Sequence, residues 1–265
     1  MTRGNKVLIA AIGLLILVMA VMYFVMPLLG FSYSVIMSSS LQHDNDQSQI
    51  GILDTGDITM TVSPDSIEIQ SYYKARSTGY MSFGDYGDII TYDRGSSGNP
   101  VIHRAIIWLE YNDNGTWTST ELADYTNEWY CPGCQYYNLR GILTFTDLTQ
   151  SHKNVSINLD TLGRESGYLT LGDNPDTNKS FDQGGLISHP VTEKEILSVA
   201  KYEIPWLGVV KVYMTPDKRQ YLDHVPNSIY SMIMLYSMIA LLIYCCDVYH
   251  IHKDTSKKRK ELELL

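Results

Sequence analysis

The stretch FSYSVIMSSSLQHD, residues 31–44, stands where a long apolar run stops and a Tyr-, Gly- and Ser-rich chain begins. It places Ser38, Ser39 and Ser40 just beyond that run. Alone, such a cluster reads as a flexible juxtamembrane linker, which is commonly Ser-rich. Its company further along changes the reading: GDYGDIITYD at 84–93, NPVIHRAI at 99–106, YLTLGDN at 168–174, then Asp182-Gln183. A serine, a histidine and an aspartate follow in that order, each in a distinctive setting. They suggest a nucleophile, a base and an orienting acid.

Outward from this stretch, the N-terminal side is membrane-like. Val7 to Leu29 is 23 residues without a charge, enough to cross a hydrocarbon core of about 30 Å as a helix. The run exceeds a signal-peptide h-region and lacks an A-x-A cleavage site, so an uncleaved anchor is expected. Near the other end, Ile229 to Cys246 is a second uncharged run, of 18 residues, with Tyr230, Tyr244 and Tyr249 near its ends. A basic stretch follows at 253–260, with Lys253, Lys257, Lys258, Arg259 and Lys260 against Asp254 alone. By the positive-inside rule both termini are cytoplasmic. The expected organisation is a cytoplasmic N-terminus (1–6), a first span (7–29), an extracytoplasmic domain (30–228), a second span (229–246) and a basic cytoplasmic tail (247–265).

Composition bounds the external domain. The 265-residue chain carries 20 Tyr and 19 Gly and a net charge of −9. The aromatic, Gly-rich usage favours a mainly β domain, and the acidity argues against nucleic-acid binding. Strands are expected at Ile58–Val62, Ser66–Tyr73, Asp88–Tyr92, Val101–Tyr111, Gly141–Thr146, Tyr168–Leu171 and Val209–Met214. Thr192–Ala200 reads as a short helix opened by a Thr192/Glu195 capping box. Residues 112–166 read as an inserted surface lobe with no assignable chemistry. Cys131-Pro132-Gly133-Cys134 could be a redox pair or half a zinc site, but the preferred reading outside the cell is a disulfide closing a tight turn. Cys245 and Cys246 lie in the second span. Asn114, Asn154 and Asn178 stand in glycosylation sequons.

His103 lies inside an apolar strand beside Arg104, where both are costly unless engaged. Taken alone, the better reading of His103 is a structural imidazole satisfied by a backbone carbonyl. His43 is a rival base, only three residues from Ser40 and hard to aim at the same hydroxyl. Asp173 and Asp182 are candidate orienters, with ordinary turn chemistry as their bland alternative.

Together these segments resemble the type I signal peptidases of the archaeal and endoplasmic-reticulum branch. That family follows its anchor with an S-x-S-M box, here Ser38-Ser39-Ser40-Leu41. A G-D turn (Gly56-Asp57), a G-D-I/V-I box (Gly87-Asp88-Ile89-Ile90), an I-H-R box (Ile102-His103-Arg104) and a G-D-N box (Gly172-Asp173-Asn174) with a D-Q (Asp182-Gln183) come after it. The resemblance covers roughly residues 30–110 and 168–215. Leu41 stands where the family has Met, and Gln42-His43 where it commonly has Glu-Pro.

The resemblance implies a β catalytic domain carried between two transmembrane helices, a serine endopeptidase that needs no cofactor. It implies Ser40 as nucleophile, His103 as general base, Asp182 as the orienter of His103 and Asp173 as support. Ser38, with the Ser40 N–H, would hold the oxyanion. The partners implied are signal peptides of preproteins bound as an extended strand, the lipid bilayer and the translocation machinery. Two alternatives stand beside it: a non-catalytic tethered scaffold of the same fold, and a thiol–disulfide protein using Cys131 and Cys134.

Overall fold

The computed structural model describes residues 24–95 and 98–262, with Gly13 alone before them. The first expected span, Val7–Leu29, therefore lies almost wholly outside the described residues. The chain divides into two compact units, Gly30–Ser228 and the two terminal segments.

The Gly30–Ser228 unit is mainly β. Its strands are β1 (Phe31–Val35), β2 (Ile58–Val62), β3 (Met81–Ser82), β4 (Asp85–Tyr86), β5 (Ile89–Tyr92) and β6 (Val101–Tyr111). They continue with β7 (Trp117–Thr118), β8 (Trp129–Tyr130), β9 (Ile142–Leu148), β10 (Lys153–Asn158), β11 (Gly167–Leu171) and β12 (Ile196–Ile204). The main sheet is antiparallel and runs β1-β2-β12-β5-β6-β11, with β7 added on β6. A smaller sheet, β10-β9-β8, forms within residues 129–158, and β3 pairs with β4.

The eleven residues of β6 are the spine. Ala105, Ile106, Ile107 and Leu109 are fully buried, as expected for an apolar strand covered on both faces. One core gathers Ile106, Leu109, Leu143, Phe145 and Phe181. Another gathers Ile90, Tyr92, Ala105 and Val199.

Three local expectations are corrected. Ser66–Tyr73, despite its β-favouring Ile67, Ile69, Tyr72 and Tyr73, is not a strand: a helix, α1, spans Tyr72–Thr78. Ser71 caps it by accepting from the Lys74 N–H, and Gly79 closes it at φ +76°. The Thr192/Glu195 capping box forms, but only one 3-10 turn follows before β12 starts at Ile196. Val209–Met214 is a helix, α2, not a strand. Its docking explains the change: Val209 packs on Gly56, where an added Cβ would come within 2.4 Å of the valine side chain. Sheet pairing with β2 and β5 has by then been taken by β12.

A third helix, α3, runs Ser228–Leu262. Its segment Ser228–Cys246 is the one stretch among the described residues long and apolar enough to cross a membrane. Cys131 and Cys134 form a disulfide.

Both G-D boxes hold structure. Asp57 accepts the N–H groups of Asp54 and Trp206, each at 2.7 Å, and fixes the turn leading into α2. Asp88 accepts from the Gln70 N–H at 2.9 Å and the Tyr80 hydroxyl at 2.8 Å, and pairs with Lys201 at 2.8 Å. Gly87 is required beside it, because a Cβ there would lie 2.7 Å from the Tyr72 nitrogen at φ +83°.

Burial pushes the carboxyls of Asp54 and Asp57 up to about 7 and about 8, and that of Glu203 up to about 7. A carboxyl raised in the folded state stabilises it fully below the unfolded value near 4, and that contribution is lost as pH rises through the folded value. The thermal midpoint of the full chain in detergent is therefore expected to fall from pH 5 to pH 9, by about 2–4 °C per kcal/mol lost. Asp57→Asn should flatten that slope, and a wild-type midpoint flat across this range would contradict the account.

Candidate active site

The serine loop follows β1 directly. Ile36, the first residue after the strand, exchanges hydrogen bonds with the second strand's approach: its N–H donates to Asp57 O and its carbonyl accepts from the Gly56 N–H, each at 2.9 Å. Leu41 anchors the far side, fully buried with Leu53, Ile89 and Ala200. Ser39 is buried, while Ser38 and Ser40 are half-buried. The hydroxyls of Ser38 and Ser40 are 3.3 Å apart.

Loop 172–178 grips the serine loop by its backbone. The Asn174 N–H and the Asn178 side-chain amide both donate to the Ser40 carbonyl at 3.0 Å. The Asn174 amide also donates to Ser39 O at 2.8 Å. The asparagine of the G-D-N box is thus a clamp on the serine loop. Asn178, at a potential glycosylation sequon, uses its side-chain nitrogen in the same clamp.

His103 projects from β6, opposite Ile90 of β5. Its Nδ1 lies 2.8 and 2.9 Å from the two carboxylate oxygens of Asp182. Both residues are buried. Facing a carboxylate, Nδ1 is placed as the donor, an arrangement that in a neutral imidazole leaves the Nε2 lone pair free. Tyr92, on the neighbouring strand, donates its hydroxyl to Asp182 Oδ2 at 2.7 Å. Burial, then Asp182 beside it, hold the Tyr92 hydroxyl above its ordinary pKa, so it stays a donor. Gln183 accepts the Thr170 N–H and donates to Tyr168 O, each at 3.2 Å, which pins the Asp182 turn to the edge strand β11.

Adjacent strand residues face opposite sides, so Arg104 leaves His103 and forms a second centre. Its Nε and Nη2 grasp the two Asp173 oxygens at 2.9 and 2.5 Å. Its Nη1 donates to the carbonyls of Ser82, Tyr86 and Gly87 at 2.8–3.1 Å. Burial alone would push the Asp173 carboxyl up; Arg104, with His43, holds it well below the usual carboxylate range. Asp173 makes no hydrogen bond to His103 among the described residues. Its support reaches the site through Arg104 and through Asn174 next to it.

His43 pairs with Asp173 through Nε2 at 3.3 Å, and its Nδ1 meets the side-chain amide of Gln150. Both ring nitrogens of His43 are thereby engaged, while among the described residues only Nδ1 of His103 is. Ser40 Oγ, in turn, forms no hydrogen bond to either histidine among the described residues; its partner is Ser38. A histidine–aspartate pair and a clamped serine loop are thus present, and the link between them is not made.

Residues 149–153 of the lobe bear directly on this centre, which the sequence did not reveal. Lys153 Nζ donates to the carbonyls of Gly172 and Asn174 at 2.7 and 3.0 Å, and Ser151 Oγ to Asp173 O at 2.6 Å. Three successive carbonyls of the G-D-N box are held this way. Burial pushes the Lys153 amine down to about 8. The alternation in KNVSIN signals its strand, but nothing local says which carbonyls its lysine meets. A cavity of about 280 Å³ is lined by Asn178, Phe181, Asp182 and Leu186 among others, so it touches both the serine-loop clamp and the carboxylate that meets His103.

No family model, curated protein or solved structure matches this chain.

Proposed function

We propose that the chain is a membrane-anchored serine endopeptidase that removes signal peptides from exported preproteins, with Ser40 as nucleophile and His103 as base. The observation that carries this reading is the His103–Asp182 pair, in which Nδ1 is held and Nε2 is left open to accept a proton. His43, the rival, has no ring nitrogen to spare. The ordered resemblance of five sequence boxes to type I signal peptidases names the substrate class.

In the proposed step Ser40 Oγ attacks the scissile carbonyl carbon while its proton passes to His103 Nε2. Asp182 stabilises the imidazolium and keeps its orientation. The C–N bond then breaks and His103 returns the proton to the leaving amine. Ser38 Oγ and the Ser40 N–H donate to the oxyanion. Water hydrolyses the Ser40 ester by the same route in reverse, with no cofactor. Spans at 7–29 and 229–246, with both termini cytoplasmic, would place this chemistry on the extracytoplasmic side, where the apolar part of a signal delivers its cleavage site.

A second reading has its own support. Because Ser40 Oγ is bonded to Ser38 and, among the described residues, not to His103, the alternative is a tethered scaffold in which the boxes only pack. The experiment is cleavage of a preprotein with an N-terminal apolar signal by the full chain in liposomes, with the new N-terminus mapped. A single cut just beyond the apolar segment is expected. An intact preprotein would favour the scaffold.

A further inference from the structure

The helix α2 is apolar on both faces. Val209 and Val212 are buried. Leu207, Val210, Tyr213 and Met214 face outward and are 38, 53, 55 and 74 % exposed. Val210, Tyr213 and Met214 are spaced three and four apart on one face of the helix, and Leu207 lies in the turn just before it. Apolar residues scattered singly on a surface need no explanation, but a contiguous stripe marks a contact. The start of the helix sits close against β1 and the Gly56 turn: a Cβ at Gly208 would lie 2.7 Å from the Val35 side chain and 2.9 Å from Gly56 O.

Cations border it. Between residues 207 and 219, Lys211, Lys218 and Arg219 stand against the single acid Asp217, in a chain of net charge −9. The Arg219 guanidinium lies 4.5 Å over the Tyr213 ring, and its Nε donates to Tyr213 O at 2.9 Å. An aromatic ring with a cation extending past it suits the boundary between headgroups and acyl chains.

We propose that the Leu207–Met214 stripe rests in the headgroup–acyl boundary of a phospholipid bilayer and sets the height of the Gly30–Ser228 unit above it. Chain continuity selects this occupant. Thirteen residues separate Met214 from Ser228, where the apolar helix segment Ser228–Cys246 begins. Part of that connection is wound into a 3-10 helix, Arg219–His224, which shortens its reach. The inference rests on Ser228–Cys246 crossing a bilayer and not on the serine chemistry, so it can fail or hold independently of the peptidase reading.

The test uses the full chain in nanodiscs of phosphatidylcholine and phosphatidylglycerol, with Cys245→Ser and Cys246→Ser as background. Spin labels are placed one at a time at Val210→Cys, Met214→Cys and, as a solvent control, Asn114→Cys. The labels at 210 and 214 are expected to be reached by oxygen and shielded from a nickel chelate, at a depth of about 5–10 Å below the phosphates. Nickel access equal to that of the control would overturn the proposal. Shielding from both reagents would overturn it too, because it would mean that protein, a second copy or a partner, covers the stripe. Two labelled positions guard against one substitution disturbing α2.

Discussion

Asp182→Asn is expected to lower the rate of preprotein cleavage by about 10³–10⁴-fold with little change in thermal midpoint. In the wild type the Asp182 carboxylate accepts from His103 Nδ1 and from the Tyr92 hydroxyl. Asparagine is close to the same shape and can still accept from Tyr92 with its oxygen. Its amide nitrogen, however, faces Nδ1 as a donor. The imidazole then carries its proton on Nε2, the nitrogen that must take the serine proton. Stability and catalysis separate cleanly in this variant. Tyr92→Phe should be milder, about tenfold, because it removes one donor to the carboxylate and leaves the tautomer intact. Steady-state rates with circular dichroism melts on the same preparations check both. A loss under tenfold for Asp182→Asn would mean that His103 is not the base.

The largest loss of stability is expected from Arg104→Met. The side chain is fully buried, paired with Asp173 and bonded to three carbonyls of the β3–β4 region. Removing it leaves a carboxylate without its charge partner in the interior, which typically costs about 3–5 kcal/mol. His43 alone cannot replace the fork. For a domain of this size that corresponds to a midpoint lowered by about 6–20 °C. The double variant Arg104→Met/Asp173→Leu should recover part of the loss, because the cost lies mainly in the stranded charge. Arg104→Lys should be intermediate, since an ammonium cannot bond both oxygens in a fork. Denaturant unfolding of the wild type, Arg104→Met, Asp173→Leu and the double variant gives the coupling energy. A single-variant cost below 1 kcal/mol would show that the carbonyl contacts and the pair are dispensable.

Legibility in the sequence followed the range of the forces involved. β6 was readable as Val101–Tyr111 because an apolar run of that length, bounded by Asn-Pro and Asn-Asp, leaves little choice. β2, β5 and β11 were readable for similar reasons. Ser66–Tyr73 and Val209–Met214 read as strands because their β-branched and aromatic residues carry strand propensity, which the cap at Ser71 and the docking glycine Gly56 override. The start of the serine stretch is an edge strand, β1, whose alternation was overlooked beside the serine cluster that follows it.

The site divides in the same way. Ser40, His103, Asp173 and Asp182 could be singled out, and His103 and Asp182 are in fact together. The resemblance implied Asp182 for His103; that Asp173 is taken by Arg104 could not be read, because it depends on the alternation of β6 sending His103 and Arg104 to opposite sides. Tyr92 and Lys153 carry no signal in the sequence, and Asn178 none beyond its sequon, since each acts on a group in another segment of the chain. Their side chains are ordinary in their own segments, and only the folded chain gives them partners.

 The sequence separations are 90 from Tyr92 to Asp182, 138 from Asn178 to Ser40 and 19 from Lys153 to Gly172.

The claim at the centre of this account is that Ser40 is the nucleophile. The most direct measurement compares preprotein cleavage in membranes containing the wild-type chain, Ser40→Ala or Cys134→Ser. The account predicts cleavage by the wild type and by Cys134→Ser, and none by Ser40→Ala. Cleavage by Ser40→Ala at the wild-type rate would contradict it, and loss in Cys134→Ser alone would move the chemistry to the Cys131–Cys134 pair.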